Sequence, residues 1–346
     1  MIAEYSSTQK RLFHITVVTL LTLTILAGTL FMLAHASRSA QTSSGFTFTA
    51  LGDYAETSET TANLNYIAQS GASFNLALGD LNYSPSKVSA SAYASYVQSH
   101  LPANFPFEII AGNEDQAQLS ALATDLPDHI GSISGNYAKE YYFDYPPGSP
   151  LARFIMVSPG GVVAGYNYTK GTSHYNWVSQ QIDGARSAGI PWVIVGMHEP
   201  CIYVNTASQP GPCSSIDLLN LLVSKNVDLI LYGHKHNYQA SKQIAFNGTT
   251  CTSLTAGKYN SNCVVNSSSS LVRGAGSVMV INGTGGETPL MGTSSSDPNA
   301  GYYRKWEGGS SNATWGVLRI TVSATQLSVK FVGTSGGSFS DGFTVA

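Results

Sequence analysis

The tightest constraint on this chain is a repeated punctuation, in which a short apolar run stops at a polar residue able to bind a metal. From Phe46 onward, "FTFTALGD" (46–53), "FNLALGD" (74–80), "PFEIIAGN" (106–113), "WVIVGMH" (192–198) and "VDLILYGHKH" (227–236) each end in aspartate, asparagine or histidine. A sixth run, "RFIMVS" (153–158), has the same apolar character. Short apolar runs bounded by Gly-containing turns read as buried strands. Between them, 59–70, 88–100, 173–188 and 215–225 are expected to be helices. In the last of these, Ile216, Leu218, Leu219, Leu222 and Val223 recur at helical spacing and Lys225 lies near the end. Strands alternating with helices specify an α/β sheet covered on both faces. After residue 236 the pattern turns to strands alone, and "GVLRITVS" and "QLSVKFVG" read as a hairpin about Ala324-Thr325. No internal repeat and no later boundary interrupts 46–346, which is expected to be one domain.

What precedes that domain is equally readable. Residues 1–11 end in Lys10-Arg11, and 12–36, "LFHITVVTLLTLTILAGTLFMLAHA", carries no Asp, Glu, Lys or Arg. A signal-peptide core needs about 7–15 apolar residues and a spanning helix about 20. The run is long enough to span, and its positive flank places 1–11 in the cytoplasm with the rest outside. Ala34-His35-Ala36 is also a plausible cleavage site, so 12–36 is either a transmembrane signal-anchor or a removed signal peptide. Both readings export the chain to the cell surface or the extracellular space, with 37–45 as a polar linker. The membrane is a partner only if the segment stays uncleaved.

The cysteines agree with export. Cys201 and Cys213, and Cys251 and Cys263, bracket two short loops, and two local disulfides are expected in an oxidising compartment. Zinc would call for C-x₂₋₄-C spacing, which neither pair has. Asn167, Asn247, Asn266, Asn282 and Asn312 head Asn-x-Ser/Thr triplets, glycan acceptors if the host glycosylates. A net charge of −3 offers no basic field for nucleic acid. Charged residues are 11% of the chain, well below the usual figure of about 25%, and oligomeric state is not readable.

The polar residues at the strand ends carry the chemistry. Ligands of α/β sheets bind at the carboxyl ends of strands, and Asp53, Asp80, Asn113, His198 and the pair His234/His236 sit at five such ends. A single Gly-Asp would ordinarily just cap a turn, and a single His198 would be a hydrogen-bonded core histidine. All five together point to a shared metal site. Carboxylates, an amide oxygen and imidazoles suit Fe, Zn or Mn. They are too many for one open catalytic zinc and fit two ions about 3.5–4 Å apart with a bridging carboxylate.

In their order, "LGDYAET", "GDLNY", "GNED", "VGMHEP" and "GHKHNY" resemble the calcineurin-like metallophosphoesterases, and more narrowly the purple acid phosphatases. The resemblance implies a core of two packed sheets flanked by helices. It implies that Asp53, Tyr83 and His236 bind Fe(III), that Asn113, His198 and His234 bind a divalent Fe, Zn or Mn, and that Asp80 bridges. Tyr83, three residues after Asp80, is the mark of the purple branch. The implied activity is an exported acid phosphatase that hydrolyses phosphomonoesters with a metal-bound hydroxide. A phosphodiesterase with the same metal pair and a non-catalytic, metal-stabilised surface glycoprotein are the alternatives. The first motif follows the linker directly, so the N-terminal β-domain of the larger plant-type members is not expected between them. Ala55 replaces a glycine usual in the first motif, a change expected to cost little.

Glu114 is the departure that matters, because the family places histidine after the asparagine, where it assists the leaving group. Free imidazolium titrates near pH 6.5 and a free glutamic acid near 4.3. A carboxylic acid here would shift hydrolysis to acid pH. Glu114 is the expected catalytic acid, with Asp115, Glu199 and His129 as substitutes, and a cap on the helix at "EDQAQLSALATDL" as its plain structural role.

Overall fold

The computed structural model describes residues 45–83, 88–159, 162–206 and 215–346. The expected signal or membrane segment at 12–36 and Cys213 lie outside the described residues. Among the described residues no helix is long and apolar enough to cross a membrane.

The first part of the chain runs β1 (Phe46–Leu51), α1 (Ser58–Gln69), β2 (Asn75–Ala77), α2 (Ala90–His100), β3 (Phe107–Ile109), α3 (Leu119–Asp125), β4 (Ser134–Asn136) and β5 (Glu140–Tyr145). It continues with β6 (Ala152–Val157), α4 (Ser173–Ser187), β7 (Trp192–Gly196), α5 (Ile216–Ser224) and β8 (Leu229–Tyr232). The remainder is β9 (Tyr238–Ser241), β10 (Gln243–Ile244), β11 (Val264–Asn266), β12 (Ser270–Leu271), β13 (Val278–Asn282), β14 (Tyr303–Glu307), β15 (Thr314–Val322), β16 (Leu327–Gly336) and β17 (Asp341–Val345). The expected helices at 59–70, 88–100, 173–188 and 215–225 appear within two residues of their expected ends as α1, α2, α4 and α5. Thr57, Ser89 and Thr172 cap α1, α2 and α4 by accepting a backbone N–H three residues on, each cap worth about 1 kcal/mol.

Pairing divides the strands between two large sheets, a seven-stranded one in the order β12-β17-β16-β15-β1-β2-β3 and an eight-stranded one in the order β14-β9-β13-β8-β7-β6-β5-β4. β1, β2 and β3 run parallel, as do β6, β7, β8 and β13. Each parallel set therefore delivers its carboxyl ends to one edge of its sheet. The sheets face each other across a core that includes Phe48, Phe74, Phe154, Trp192, Leu231 and Phe331.

Side chains alternate faces along a strand, and here both faces are buried. Phe154, Ile194 and Leu231 point into the space between the sheets. Ile155, Val193 and Ile230 point outward, against Val178, Ile182, Leu218 and Leu222 of α4 and α5. On the other sheet Leu51 and Ala77 pack outward against Leu64, Tyr93, Val97 and Leu122 of α1–α3. Burial on both faces explains why these strands read as continuous apolar runs. The alternation of strands and helices anticipated one sheet covered twice. The structure has two sheets, each covered by helices on its outer face only, as the family resemblance implied. Local pattern does not encode this partition, because β1 pairs with β15 in the register Phe46↔Val322 to Ala50↔Leu318.

The hairpin about Ala324-Thr325 is present: Val322 pairs with Leu327, and Ser323 N–H donates to the Gln326 carbonyl at 2.9 Å. Cys251 and Cys263 are disulfide-bonded. Asn282 drops out as a glycan acceptor, because it is fully buried and its Nδ2 donates to the Ala50 and Gly316 carbonyls at 3.1 and 3.3 Å.

The inter-sheet core generates a direct test. The Phe154 ring is fully buried and meets Phe48 and Phe74 edge-on and Phe143 face-on, at centroid distances of 5.0, 5.2 and 4.9 Å. Phe154→Ala is expected to destabilise the fold by about 3–5 kcal/mol, as a lower denaturant midpoint at unchanged slope. An unchanged midpoint would show that the sheets do not depend on this contact.

Candidate metal centre

Three of the strand-end residues have backbone conformations that L-residues seldom adopt. Asp53, Asp80 and His234 have φ of 65°, 50° and 68°, a region that stores strain and is populated at functional sites. Neighbouring glycines let the loops close around them. A Cβ on Gly112 would collide with the Asp80 carboxylate, and one on Gly79 would lie 2.7 Å from His198 Nδ1. Ala55 is also left-handed, at φ 62°. The change from the usual glycine therefore carries a penalty of about 1–2 kcal/mol, more than its small size implied.

All seven expected ligands come together, in two sets that share Asp80. In one, the Tyr83 hydroxyl lies 2.8 Å from Asp53 Oδ1, 2.9 Å from Asp80 Oδ2 and 3.1 Å from His236 Nε2. In the other, His198 Nε2 lies 3.2 Å from Asp80 Oδ2, 3.2 Å from Asn113 Oδ1 and 3.3 Å from His234 Nδ1. Asn113 Oδ1 and His234 Nδ1 are 3.0 Å apart. Asp80, His198 and His234 each offer a ligand atom within 4.8 Å of the other two. Asp53, Asp80, Asn113 and Tyr83 come from the sheet that holds β1–β3, and the three histidines from the sheet that holds β7 and β8. The centre therefore sits where the two parallel edges meet.

The hydrogen-bond chemistry calls for cations. His198 Nδ1 faces the Leu78 carbonyl at 2.8 Å, so that nitrogen carries a proton and Nε2 of a neutral ring presents a lone pair. Nε2 then faces a carboxylate oxygen and an amide oxygen, neither able to donate. Tyr83 has one hydroxyl proton for two carboxylates. Without a cation, charge settles on the Asp80–His198 pair. Burial alone would raise the Asp80 carboxyl, but the His198 charge and hydrogen bonds outweigh it and hold it to about 2. Burial opposes charge on His198, and Asp80 pulls it up to about 10. Burial, aided by the His198 charge, takes His234 down to about 3. Burial together with Asp53 and Asp80 pushes the Tyr83 phenol far up. A tyrosinate at this position needs a cation to reverse the local field.

A second layer fixes the ligands. His234 N–H donates to Asp53 Oδ2 at 2.7 Å, and Glu114 N–H donates to Asp80 Oδ1 at 2.8 Å. Asp115 is fully buried and accepts from Leu81 N–H at 2.9 Å and Gly112 N–H at 2.8 Å. It ties the Asp80 loop to the Asn113 loop, which disqualifies it as a proton donor to substrate. His129 lines a cavity of about 360 Å³ beside α2 and β3 with Leu101, Phe107 and Leu126, and none of the seven ligand candidates lines that cavity. Glu114 does not cap α3, which starts at Leu119 with Gln118 at its N-cap. Its Oε1 accepts from Asn113 Nδ2 at 3.1 Å. Sequence reading missed Lys235, whose Nζ sits 4.3 Å from the centre of the Tyr203 ring and interacts with the charges of Asp53 and Glu199. Its place between the two histidines of "GHKH" was the available signal.

A profile of the calcineurin-like phosphoesterase family matches residues 46–238, more than half of the chain. Purple acid phosphatase 18 of Arabidopsis thaliana is 23% identical over 202 residues, which cover 57% of this chain and 45% of that protein. The phosphoenolpyruvate phosphatase of Allium cepa is 24% identical over 212 residues, covering 58% of this chain and 43% of that one. The chain thus spans about half the length of the curated relatives it matches. A purple acid phosphatase from yellow lupin (Lupinus luteus) seeds superimposes with a TM-score of 0.62 at 17% identity, over 88% of this chain and 54% of that one. At that identity the likeness speaks to the fold. The chain belongs to the calcineurin-like phosphoesterase family, and within it resembles the purple acid phosphatases.

Proposed function

We propose that the chain is an exported acid phosphatase with a binuclear metal centre, acting on phosphomonoesters. One observation carries the reading: two sets of potential ligands that both reach the Asp80 Oδ2 oxygen, one through Tyr83 and one through His198. Asp53, Tyr83 and His236 are the proposed ligands of Fe(III), and Asn113, His198 and His234 those of a divalent Fe, Zn or Mn, with Asp80 between. When bound, two such cations supply an activated water and neutralise charge on the phosphate. The residues contribute the rest. Leu78 holds the His198 tautomer and His234 N–H holds the Asp53 carboxylate. Glu114, half-buried beside Asn113, is the proposed donor of a proton to the departing ester oxygen. The Cys251–Cys263 disulfide supports an oxidising, extracellular or cell-surface location, as does the apolar segment at 12–36.

Glu114 in the usual histidine position also favours a second reading, a metal-stabilised surface protein without catalysis. Leaving-group dependence separates the two. The metal-loaded full chain should hydrolyse both aryl and alkyl phosphates, best at acid pH. An alkoxide leaves poorly without a proton, whereas a nitrophenolate needs none. Glu114→Gln should therefore lose about 10²–10⁴-fold on alkyl phosphates and far less on nitrophenyl phosphate. Equal losses on both would remove Glu114 as the acid. No turnover by wild type with two metals bound would leave the non-catalytic reading.

Tyr83→Phe tests the iron assignment. Its visible absorption should vanish while iron stays bound through Asp53 and His236; a spectrum unchanged by the substitution would contradict tyrosinate ligation.

A further inference from the structure

We infer that Glu114 is also a positioning residue, whose carboxylate turns the Asn113 side chain so that its oxygen, and not its NH₂ group, faces the second metal position. The inference rests on the binuclear reading above and gives Glu114 a task separate from proton transfer.

An asparagine amide is nearly symmetric in shape, and its two ends differ only in what they accept or donate. Only the oxygen end can ligate a cation, so something must select it. In this chain the selection acts at the NH₂ end. Asn113 Nδ2 donates to Glu114 Oε1 at 3.1 Å, while Oδ1 lies 3.2 Å from His198 Nε2 and 3.0 Å from His234 Nδ1. Flipping the amide would set Oδ1 against a carboxylate, acceptor against acceptor. It would also aim NH₂ at the metal position. An ionised carboxylate has only lone pairs to offer, so it accepts NH₂ and rejects the amide oxygen.

The backbone reinforces the arrangement. Glu114 N–H donates to Asp80 Oδ1 at 2.8 Å, so one residue steadies the bridging carboxylate with its main chain and the amide ligand with its side chain. Nor is the side chain employed in capping the helix that follows, because α3 begins five residues later. Partners of this kind around metal ligands typically control about 10–100-fold in metal affinity.

The test measures the affinity of the full-length protein for its weaker-bound ion, using Zn²⁺ in competition with a chelator, and not its turnover. Glu114→Leu removes the acceptor and should weaken that ion by about 10–100-fold, leaving the tyrosinate absorption of the other ion unchanged. Glu114→Gln keeps an acceptor oxygen and should retain most of the affinity, although it cannot act as an acid. In an Asn113→Asp background either end of residue 113 is an oxygen, so Glu114→Leu should then cost nothing. Wild-type affinity in Glu114→Leu, an equal loss in Glu114→Gln, or an undiminished loss in the Asn113→Asp background would each overturn the inference. A wild-type chain that binds only one ion would overturn it together with the binuclear reading.

Discussion

The Asp80 carboxylate is the contact on which the rest of the site depends. Its Oδ2 faces Tyr83 on one side and His198 on the other, and its Oδ1 accepts from the Glu114 backbone. Remove it and two clusters of acceptors face each other with no shared group between them. Buried acceptors without donors are costly, and an imidazole, a phenol and two carboxylates packed this closely make sense only around positive charge. A charged His198 can supply some of it in a metal-free chain. Bound cations would supply more, at both ends of the bridge.

The fold exists to bring that bridge together. Its ligands belong to two different sheets, and the inter-sheet core of Phe48, Phe74, Phe154 and Trp192 sets how closely the two parallel edges approach. The energy stored in left-handed Asp53, Asp80 and His234 is sustained by hydrogen bonds that over-determine each loop. His234 N–H bonds to Asp53, and Asp115 ties two further loops through their backbones. The site is therefore a rigid one, in which glycine at 112 and 79 is a matter of clearance around Asp80 and His198.

Much of this was legible in the sequence because the decisive signals are local. A strand, a glycine and a metal-capable side chain occupy consecutive positions, and parallel strands send their carboxyl ends the same way. That logic located six of the ligand candidates before any geometry was known, and the family resemblance added Tyr83. What it missed is non-local or conformational. Nothing near Phe46 announces that its partner is Val322, so the division into two sheets was legible only through the family resemblance and not through local pattern. The φ of Ala55 is a property of the closed loop, and its cost was underrated for that reason. The fate of Asp115 and of Asn282 was decided by backbone groups from distant segments, which turned a candidate acid into a strut and a candidate glycan site into part of the core. The orientation of Glu114 toward Asn113 is likewise a three-dimensional fact.

The central claim is that one carboxylate joins two metal positions. X-ray absorption on the full-length chain, loaded with iron and zinc and combined with metal counting, addresses it most directly. The expected result is two ions per chain with metal–metal scattering at about 3.5–4 Å. One ion per chain, or two ions without a metal–metal vector, would contradict it.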